Sequence, residues 1–566
     1  MNARSFESVA NKGPPAARPV IAMYFFENPV LQRELLVNLR MPRGFVLLFV
    51  YQAVLAALVF FAWPQDTRLS PGQHEARALV DMFFLGQYVL ASMMAPSFAA
   101  GAITGEKERK TYEMLLASPL RPAAIVLGKM VASLTHIAVL VFSSLPIVML
   151  CLPLGGVSFY EVLAAYMALM VSVITFGAIS VACSSYFHRT AASLAVSYML
   201  ILPLAMMAVL AWYLLRDMGQ TRLLLTVTVV PILGGAISVA LLANTSARLM
   251  HPPDVGSEGK DVVDLEQEAQ EAVGLVIQRD QFPDRLFAPA KRDDIMEDGV
   301  NPVYDKEIRS EIFSQGTLML RLVIQMSMVL AIPLMAVCLY IWAEWAAWYI
   351  CYAMVFNILV GPVFSAGSVT GERERETLDM LLTTTITPWQ ILWGKLIAGL
   401  RVSSVLTMFL LWPVLLACVM VQSYWTNLLS ILAYLVIVLL TCLTNAHIAL
   451  FCSVLFRKTS TSLMTSYLLI ILLFCVPIAV TSFVGYKYNF GETNTIVENI
   501  EWVGITSPFA AAFAVPLNMD LDATPEEMDY GNWPLFGTYV VFTLLLNATL
   551  LTTMIWLFNV RWRVAG

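Results

Sequence analysis

The sequence predicts an all-α integral membrane protein with about twelve transmembrane helices in two parallel six-helix repeats. Three observations carry this. The 566 residues are 59% hydrophobic and only 13% charged, against roughly 25% charged in a soluble domain. The apolar stretches are long enough to cross roughly 30 Å of hydrocarbon as helices, and they are continuous rather than alternating, which excludes a barrel. Residues 104–116, TGEKERKTYEMLL, return at 370–382 as TGERERETLDMLL.

Spans are predicted at 44–63, 78–103, 124–151, 159–186, 191–215, 223–246, 317–342, 346–369, 390–420, 426–455, 461–485 and 535–559. Six precede a polar segment and six follow it. An even number returns the chain to its starting face, so the repeats are parallel, not inverted. With the N-terminus inside, 29 of the 34 Lys and Arg fall on inner segments. Discarding nine at the linker still leaves 20 against 5, so both termini are expected on the cytoplasmic side. The first span is expected to act as its own uncleaved signal.

The first half, 1–247, opens with Asn28-Pro29-Val30 and an interfacial helix over about 28–40, with Leu31, Leu35 and Leu39 on one face. An acidic linker, 248–300, follows and reads as a strap. The second half, 301–566, opens with Asn301-Pro302-Val303 and an interfacial helix over about 302–313. Without gaps, 96–129 and 362–395 are identical at 17 of 34 positions. A third match joins the fourth and fifth spans, CSSYFHRTAASL at 183–194 and CSVLFRKTSTSL at 452–463. Three matches in one order indicate duplication. The halves differ between spans five and six, where only the second has a long outer loop, about 486–534; its stretch GITSPFAAAFAVP at 504–516 is apolar enough to enter the interface.

Taken as one helix over 104–118, the phrase places Glu106 with Arg109 and Arg109 with Glu113 on one face, as Glu372 with Arg375 and Arg375 with Asp379. Tyr112, Leu115 and Leu116, like Leu378, Leu381 and Leu382, form an apolar edge. Pro119, Pro122 and Pro388 then turn the chain. Gly101 and Gly105, with Gly367 and Gly371, predict close approach of a neighbouring helix. Pro96 and Pro362 sit at matching points of span two and read as packing features or a hinge. One copy of the phrase would read as a solvated loop anchor. Glu106, Glu108, Arg109 and Thr111 recurring in the same order argue for a partner that touches both halves.

Several chemistries are excluded. Gly128-Lys129, Gly259-Lys260 and Gly394-Lys395 lack the earlier glycine and the following Ser or Thr of a phosphate-binding loop, so this chain binds no nucleotide by that route. The eight cysteines lie in or beside apolar spans without a CxxC pair, and the five histidines are scattered. Neither a metal site nor a catalytic constellation is expected. No nucleic-acid partner is expected. Ionisable residues within the spans are few, which counts against an ion-coupled secondary transporter.

The phrase G-E-[KR]-E-R-x-T-x-[ED]-x-L-L with its following Pro resembles the permease subunits of ABC-2 type ATP-binding-cassette transporters, here with two six-helix halves fused in one chain. The resemblance implies coupling helices over about 105–118 and 371–385 that dock on ATPase subunits. It implies that Glu106, Glu108, Arg109 and Glu113, with Glu372, Glu374, Arg375 and Asp379, lie at that interface. It also implies re-entrant helices between spans five and six, which the loop at 486–534 fits and the short loop near Arg216 does not. The function implied is an exporter permease in a bacterial inner membrane. ATP and Mg²⁺ would act through separate nucleotide-binding subunits, two per chain, with no cofactor on this chain. Lipids are further partners, and the 486–534 loop could receive an outer one. The alternatives are the secondary transporter and a mechanotransmission or anchor module driven by an ATPase.

Overall fold

The computed structural model describes residues 28–39, 73–118, 120–151, 157–187, 190–215, 218–250, 301–309, 331–374, 376–481, 502–517 and 531–562, with parts of 48–59 and 328–329. Among the described residues there is no strand. Ten helices among these residues are long and apolar enough to cross a membrane. The predicted spans 44–63 and 317–342 lie mostly outside the described residues; of the latter, Ala331–Ile341 is a shorter apolar helix. The acidic linker lies outside them altogether.

The chain forms two compact units, Met1–Ser193 with Leu215–Glu258, and Leu194–Leu214 with Gly259–Gly566. The stretch Leu194–Leu214 belongs to the second unit, although the sequence repeat places it in the first half. Its own contacts give the reason: Tyr198 hydrogen-bonds Tyr467, and Tyr213 meets Trp345 edge-on at 5.5 Å.

In the first unit, α1 (Pro29–Leu39) lies on α5 (Pro122–Ser143). Span two is α2 (Gln73–Ala99), followed by the short α3 (Gly101–Glu108) and α4 (Tyr112–Leu116). Span four, α6 (Phe159–Tyr186), packs on α2, α5 and α8 (Gly219–Met250). Span five of the first repeat is α7 (Thr190–Leu214), which from Leu194 onward belongs to the second unit. The second unit repeats the plan. α9 (Pro302–Arg309) lies on α13 (Pro388–Met420). Span two, α10 (Ala346–Ala366), leads to α11 (Thr370–Glu374) and α12 (Leu378–Leu382). Span four, α14 (Leu428–Leu455), is followed by α15 (Thr459–Ile470). The short α16 (Pro508–Ala514) and the last span, α17 (Trp533–Trp562), complete it.

Local chemistry sets the helix starts. Asn28 precedes Pro29, whose fixed φ suits the first helical position. Asn28 Oδ1 accepts from the Val30 N–H at 3.0 Å, and its Nδ2 donates to the Ala124 carbonyl at 2.6 Å. Asn301 does the same with Val303 at 3.0 Å and Gln390 at 2.8 Å. One side chain thus caps the interfacial helix and pins it to the start of span three. Pro122 and Pro388 open the span-three helices rather than merely ending the phrase.

The apolar loop stretch at 504–516 contains α16, whose Pro508, Ala511 and Ala512 are buried. It packs on α10, α14 and α17. Ser430 and Tyr434 donate to the Pro516 and Val515 carbonyls at 2.6 and 3.3 Å. Thr506 donates at 2.8 Å to the Leu473 carbonyl, within the π-turn Ile471–Cys475.

The four motif glycines separate. A Cβ at Gly101 or Gly367 would meet the methyl of Thr190 at 3.4 Å or Thr459 at 3.3 Å, whereas Gly105 and Gly371 face open space. The expected close approach therefore holds only for the first glycine of each pair. The tightest repeated contacts are at Gly128 and Gly394, where a Cβ would lie 2.8 Å from the Asn28 amide and 3.0 Å from the Tyr304 backbone nitrogen. Pro96 and Pro362 both sit inside helices, near their ends. Gly394→Val should push α9 off α13 and cost about 1–3 kcal/mol in thermal unfolding followed by tryptophan fluorescence. Gly371→Ala, with room for a methyl, should be neutral or stabilising by up to about 1 kcal/mol.

Candidate functional site

The repeated phrase builds the same charged joint in each unit. In the second, the Lys395 side chain is 1% exposed. Its Nζ lies 2.5 Å from Glu307 on the interfacial helix, 3.5 Å from Glu372 of the phrase and 2.8 Å from the Ser368 carbonyl. Lys306, next to Glu307, reaches Glu372 at 2.7 Å. In the first unit Lys129, 6% exposed, meets Glu106 at 3.0 Å and Glu34 at 3.4 Å. A lysine at the start of span three thus binds the interfacial helix to the end of span two. Sequence reasoning weighed these Gly-Lys pairs only as failed phosphate loops. Their recurrence in one register was the signal for this role.

The rest of the phrase follows helix polarity. The C-terminal carbonyls of a helix carry partial negative charge and its N-terminal amides partial positive charge. Lys107 Nζ donates to the Ser185 and Phe187 carbonyls at 2.7 and 3.1 Å, where span four ends. Arg373 donates to Val454 at 2.8 Å and Phe456 at 2.5 Å. Glu108 accepts from the Thr190 N–H at 2.7 Å, where span five begins. Glu374 accepts from the Thr459 N–H at 3.0 Å. Ser184 Oγ accepts from the Ile103 and Thr104 N–H groups at 3.0 and 2.9 Å, and Ser453 from Val369 and Thr370 at 2.9 and 3.0 Å. These satisfy donors that a helix start leaves open. The order acid, base, acid matches lysine, helix end and helix start.

The single helix expected over 104–118 is broken. Lys110 and Glu376 take φ of 58° and 59°. The Thr111 N–H bonds the Glu106 carbonyl at 3.0 Å and the Lys110 N–H bonds Lys107 at 3.1 Å; Thr377 and Glu376 repeat this at 2.9 and 3.1 Å. This is a Schellman closure, reinforced by hydrogen bonds from the Thr111 and Thr377 hydroxyls to the Glu106 and Glu372 carboxylates. The break removes the common face predicted for Arg109 and Glu113, which now lie on either side of it. Arg109, Glu113 and Asp379 are exposed. Arg375 lies outside the described residues. The apolar edge turns inward: Leu378 is 4% exposed and packs with Val303, Leu392 and Phe558, with Leu381 and Leu382 against the same cluster. Met114 and Met380 point outward instead, 77% and 73% exposed.

Several ionisable and amide groups in the described spans have local structural partners. Glu161 closes a capping box with Ser158. Asp81 pairs with Arg222 at 3.1 Å. His447 Nδ1 lies 2.9 Å from the Leu443 carbonyl. Asn357 donates to Ser403 and Thr407 at 2.8 and 3.0 Å and accepts from Asn445 at 2.8 Å. Among the described residues no group of three or more His, Cys, Asp or Glu could hold a metal ion.

A duplicated helical membrane unit, with a charged joint between its interfacial helix and spans two to five, defines a membrane transport component. A family profile described as ABC-2 family transporter protein matches residues 29–220 and again 215–561. The chain belongs to that family, as two fused copies. No curated protein and no solved structure matches it.

Three measurements test the joint. Lys395→Met removes the buried cation shared by Glu307 and Glu372 and should cost about 3–5 kcal/mol in thermal unfolding. Lys110→Gly and Glu376→Gly relieve a left-handed backbone and should each stabilise by roughly 1 kcal/mol. Burial alone would raise the Glu372 carboxyl, but hydrogen bonds from Lys306 and Thr377 and the charges of Lys395 and Lys306 outweigh it and hold it down at about 2. A depressed carboxyl stabilises the fold above its ordinary value of 4.5 and loses that contribution as pH falls towards 2. Unfolding temperature should therefore drop across that window, and Glu372→Gln should flatten the dependence.

Proposed function

We propose that the chain supplies both permease halves of an ABC-type exporter, driven by ATP hydrolysed on two separate nucleotide-binding subunits. The supporting observation is the joint. A push on α4 or α12 reaches Lys129 or Lys395, the interfacial helix, the end of span four and the start of span five together. Rigid linkage of that kind suits a lever moved from outside the chain. The local partners of the intramembrane ionisable groups favour the same reading over ion coupling.

The geometry also divides the expected contact residues. Arg109, Glu113 and Asp379, with Met114 and Met380 at the tips of α4 and α12, form the surface offered to the ATPase. Glu106, Glu108, Glu372 and Glu374 transmit its motion through their intramolecular bonds. Pro96 and Pro362 would supply a hinge in span two. Phosphate chemistry and Mg²⁺ belong to the partner, and this chain contributes no catalytic residue. Both termini and both joints lie on the cytoplasmic face of a bacterial inner membrane in this reading.

Gentle detergent extraction and affinity capture of the full chain should recover an ATPase with a phosphate-binding loop at two copies per chain. Met114→Glu with Met380→Glu should abolish that recovery while leaving the unfolding temperature unchanged. Capture of the wild-type chain with no ATPase, or undiminished recovery by the double variant, would overturn the assignment.

A further inference from the structure

We infer that the first unit carries a binding site for the phosphate of an anionic phospholipid, built by Lys107 and Arg248 around Tyr186 at the end of the spans that bears the joint. Arg248 lies in the last turn of α8, and its guanidinium sits over the Tyr186 ring, 3.7 Å from the centroid. Tyr186 is the last residue of α6. Asn244, one turn before Arg248, donates to the Tyr186 hydroxyl at 3.1 Å and holds the ring in place. Lys107 Nζ bonds the carbonyls on either side of Tyr186, those of Ser185 and Phe187, and lies 5.6 Å from the centre of the Tyr112 ring. The charge of Arg248 acts on both Lys107 and Tyr112. Two cations from different helices therefore converge on one tyrosine.

This pair differs from the other cations of the fold in its missing counter-charge. Lys129, Lys306, Lys395 and Arg222 each meet a carboxylate. Among the described residues, Lys107 meets only carbonyls and a ring, and Arg248 only rings. Like charges held together repel, and an anion between them removes the repulsion. Both groups can still donate. Arg248 Nε is the only nitrogen of that guanidinium sealed from solvent without a partner, so the Nη edge is open to a ligand. Lys107 spends two of its three N–H donors on carbonyls. A guanidinium fork matches two oxygens of a phosphate. What lies beside the cations favours a lipid as the carrier of that phosphate. α8 leaves Ile232, Leu233 and Val239 largely exposed, an apolar surface on which acyl chains can lie while the headgroup meets the helix end. A zwitterionic headgroup would bring its own cation to the pair. The second unit does not repeat the arrangement. Arg373 takes the place of Lys107 on the equivalent carbonyls, but Leu455 stands at the register of Tyr186 and offers no ring.

This inference does not rest on the transport reading, and its test uses the full chain without any ATPase. The chain in a neutral maltoside detergent is titrated with dioctanoyl phosphatidylglycerol while thermal unfolding is followed by tryptophan fluorescence. A ligand that binds only the folded chain raises the midpoint, so the midpoint should rise and saturate. Dioctanoyl phosphatidylcholine, with the same chains and no net charge, should leave it unchanged, as should inorganic phosphate. Arg248→Gln gives up no hydrogen bond within the described fold and should raise the half-saturating concentration about tenfold or more. Arg248→Lys keeps the charge but loses the fork, and should raise it about threefold. Arg109→Gln, which removes an exposed cation of the same phrase, should not change it. Equal stabilisation by phosphatidylcholine would assign the effect to acyl chains, and equal stabilisation by phosphate to a free ion; either result overturns the lipid site. So does a midpoint that never saturates, or equal sensitivity to the Arg109 and Arg248 variants, which would mean a diffuse positive surface. Loss of ATPase capture by Arg248→Gln, with no lipid response in the wild type, would give these cations to a protein partner and overturn the site as well. Should Arg248→Gln not fold, the comparison of the two lipids with phosphate, together with Arg248→Lys, still decides.

Discussion

A lysine ammonium placed where a membrane helix begins must be neutralised or kept in water. Lys129 and Lys395 are almost fully buried, so neutralisation has to come from the protein. The carboxylates that supply it arrive from two other elements, the interfacial helix and the end of span two. That requirement sets much of the surrounding sequence. Gly128 and Gly394 precede the lysines because the interfacial helix must come within van der Waals contact to deliver Glu34 and Glu307. Asn28 and Asn301 fix the height of that helix. The Schellman turn then places Thr111 and Thr377 against the same carboxylates. A buried ion triad of this kind adds little net stability over an apolar core of equal volume, but removing any one member is expensive. Its value is geometric: three elements cannot shift separately.

Ten of the twelve predicted spans, the duplication and the polar character of the joint were readable from hydropathy and repetition. So was the identity of Glu106, Glu108, Glu372 and Glu374 as special positions. Their targets were not readable, because carboxylate–lysine contacts across many residues leave no local pattern. Helical spacing paired Glu106 with Arg109, whereas the structure turns Glu106 to Lys129. The break at Lys110 and Glu376 was also hidden. A left-handed helix end is usually announced by glycine or asparagine, and here lysine and glutamate hold it. Recurrence in identical order was taken to require an outside partner. The intramolecular bonds account for much of that recurrence, and leave Arg109, Glu113, Met114, Asp379 and Met380 as the outward residues.

The repeats agree at the joint and diverge within the bilayer. The second unit packs Asn357, Ser403, Thr407 and Asn445 into one hydrogen-bonded cluster. The matching registers of the first repeat hold Ala91, Ile137, Val141 and Phe176, all buried and apolar. The first unit instead links Gln87, Ser144 and Tyr166. Duplication preserved the joint and allowed the interiors to diverge. The short α16 belongs to the same divergence.

Tyr198 and Tyr467, hydrogen-bonded in the second unit, stand 269 residues apart (467 − 198). During synthesis the helix around Tyr198 leaves the ribosome while more than half of the polypeptide is still unmade. It must therefore wait in lipid as an independently inserted segment, its phenol and small polar residues satisfied for the time being by its own backbone or passing neighbours. Maturation of the second unit is a late assembly event, completed only after the downstream helices have entered the bilayer.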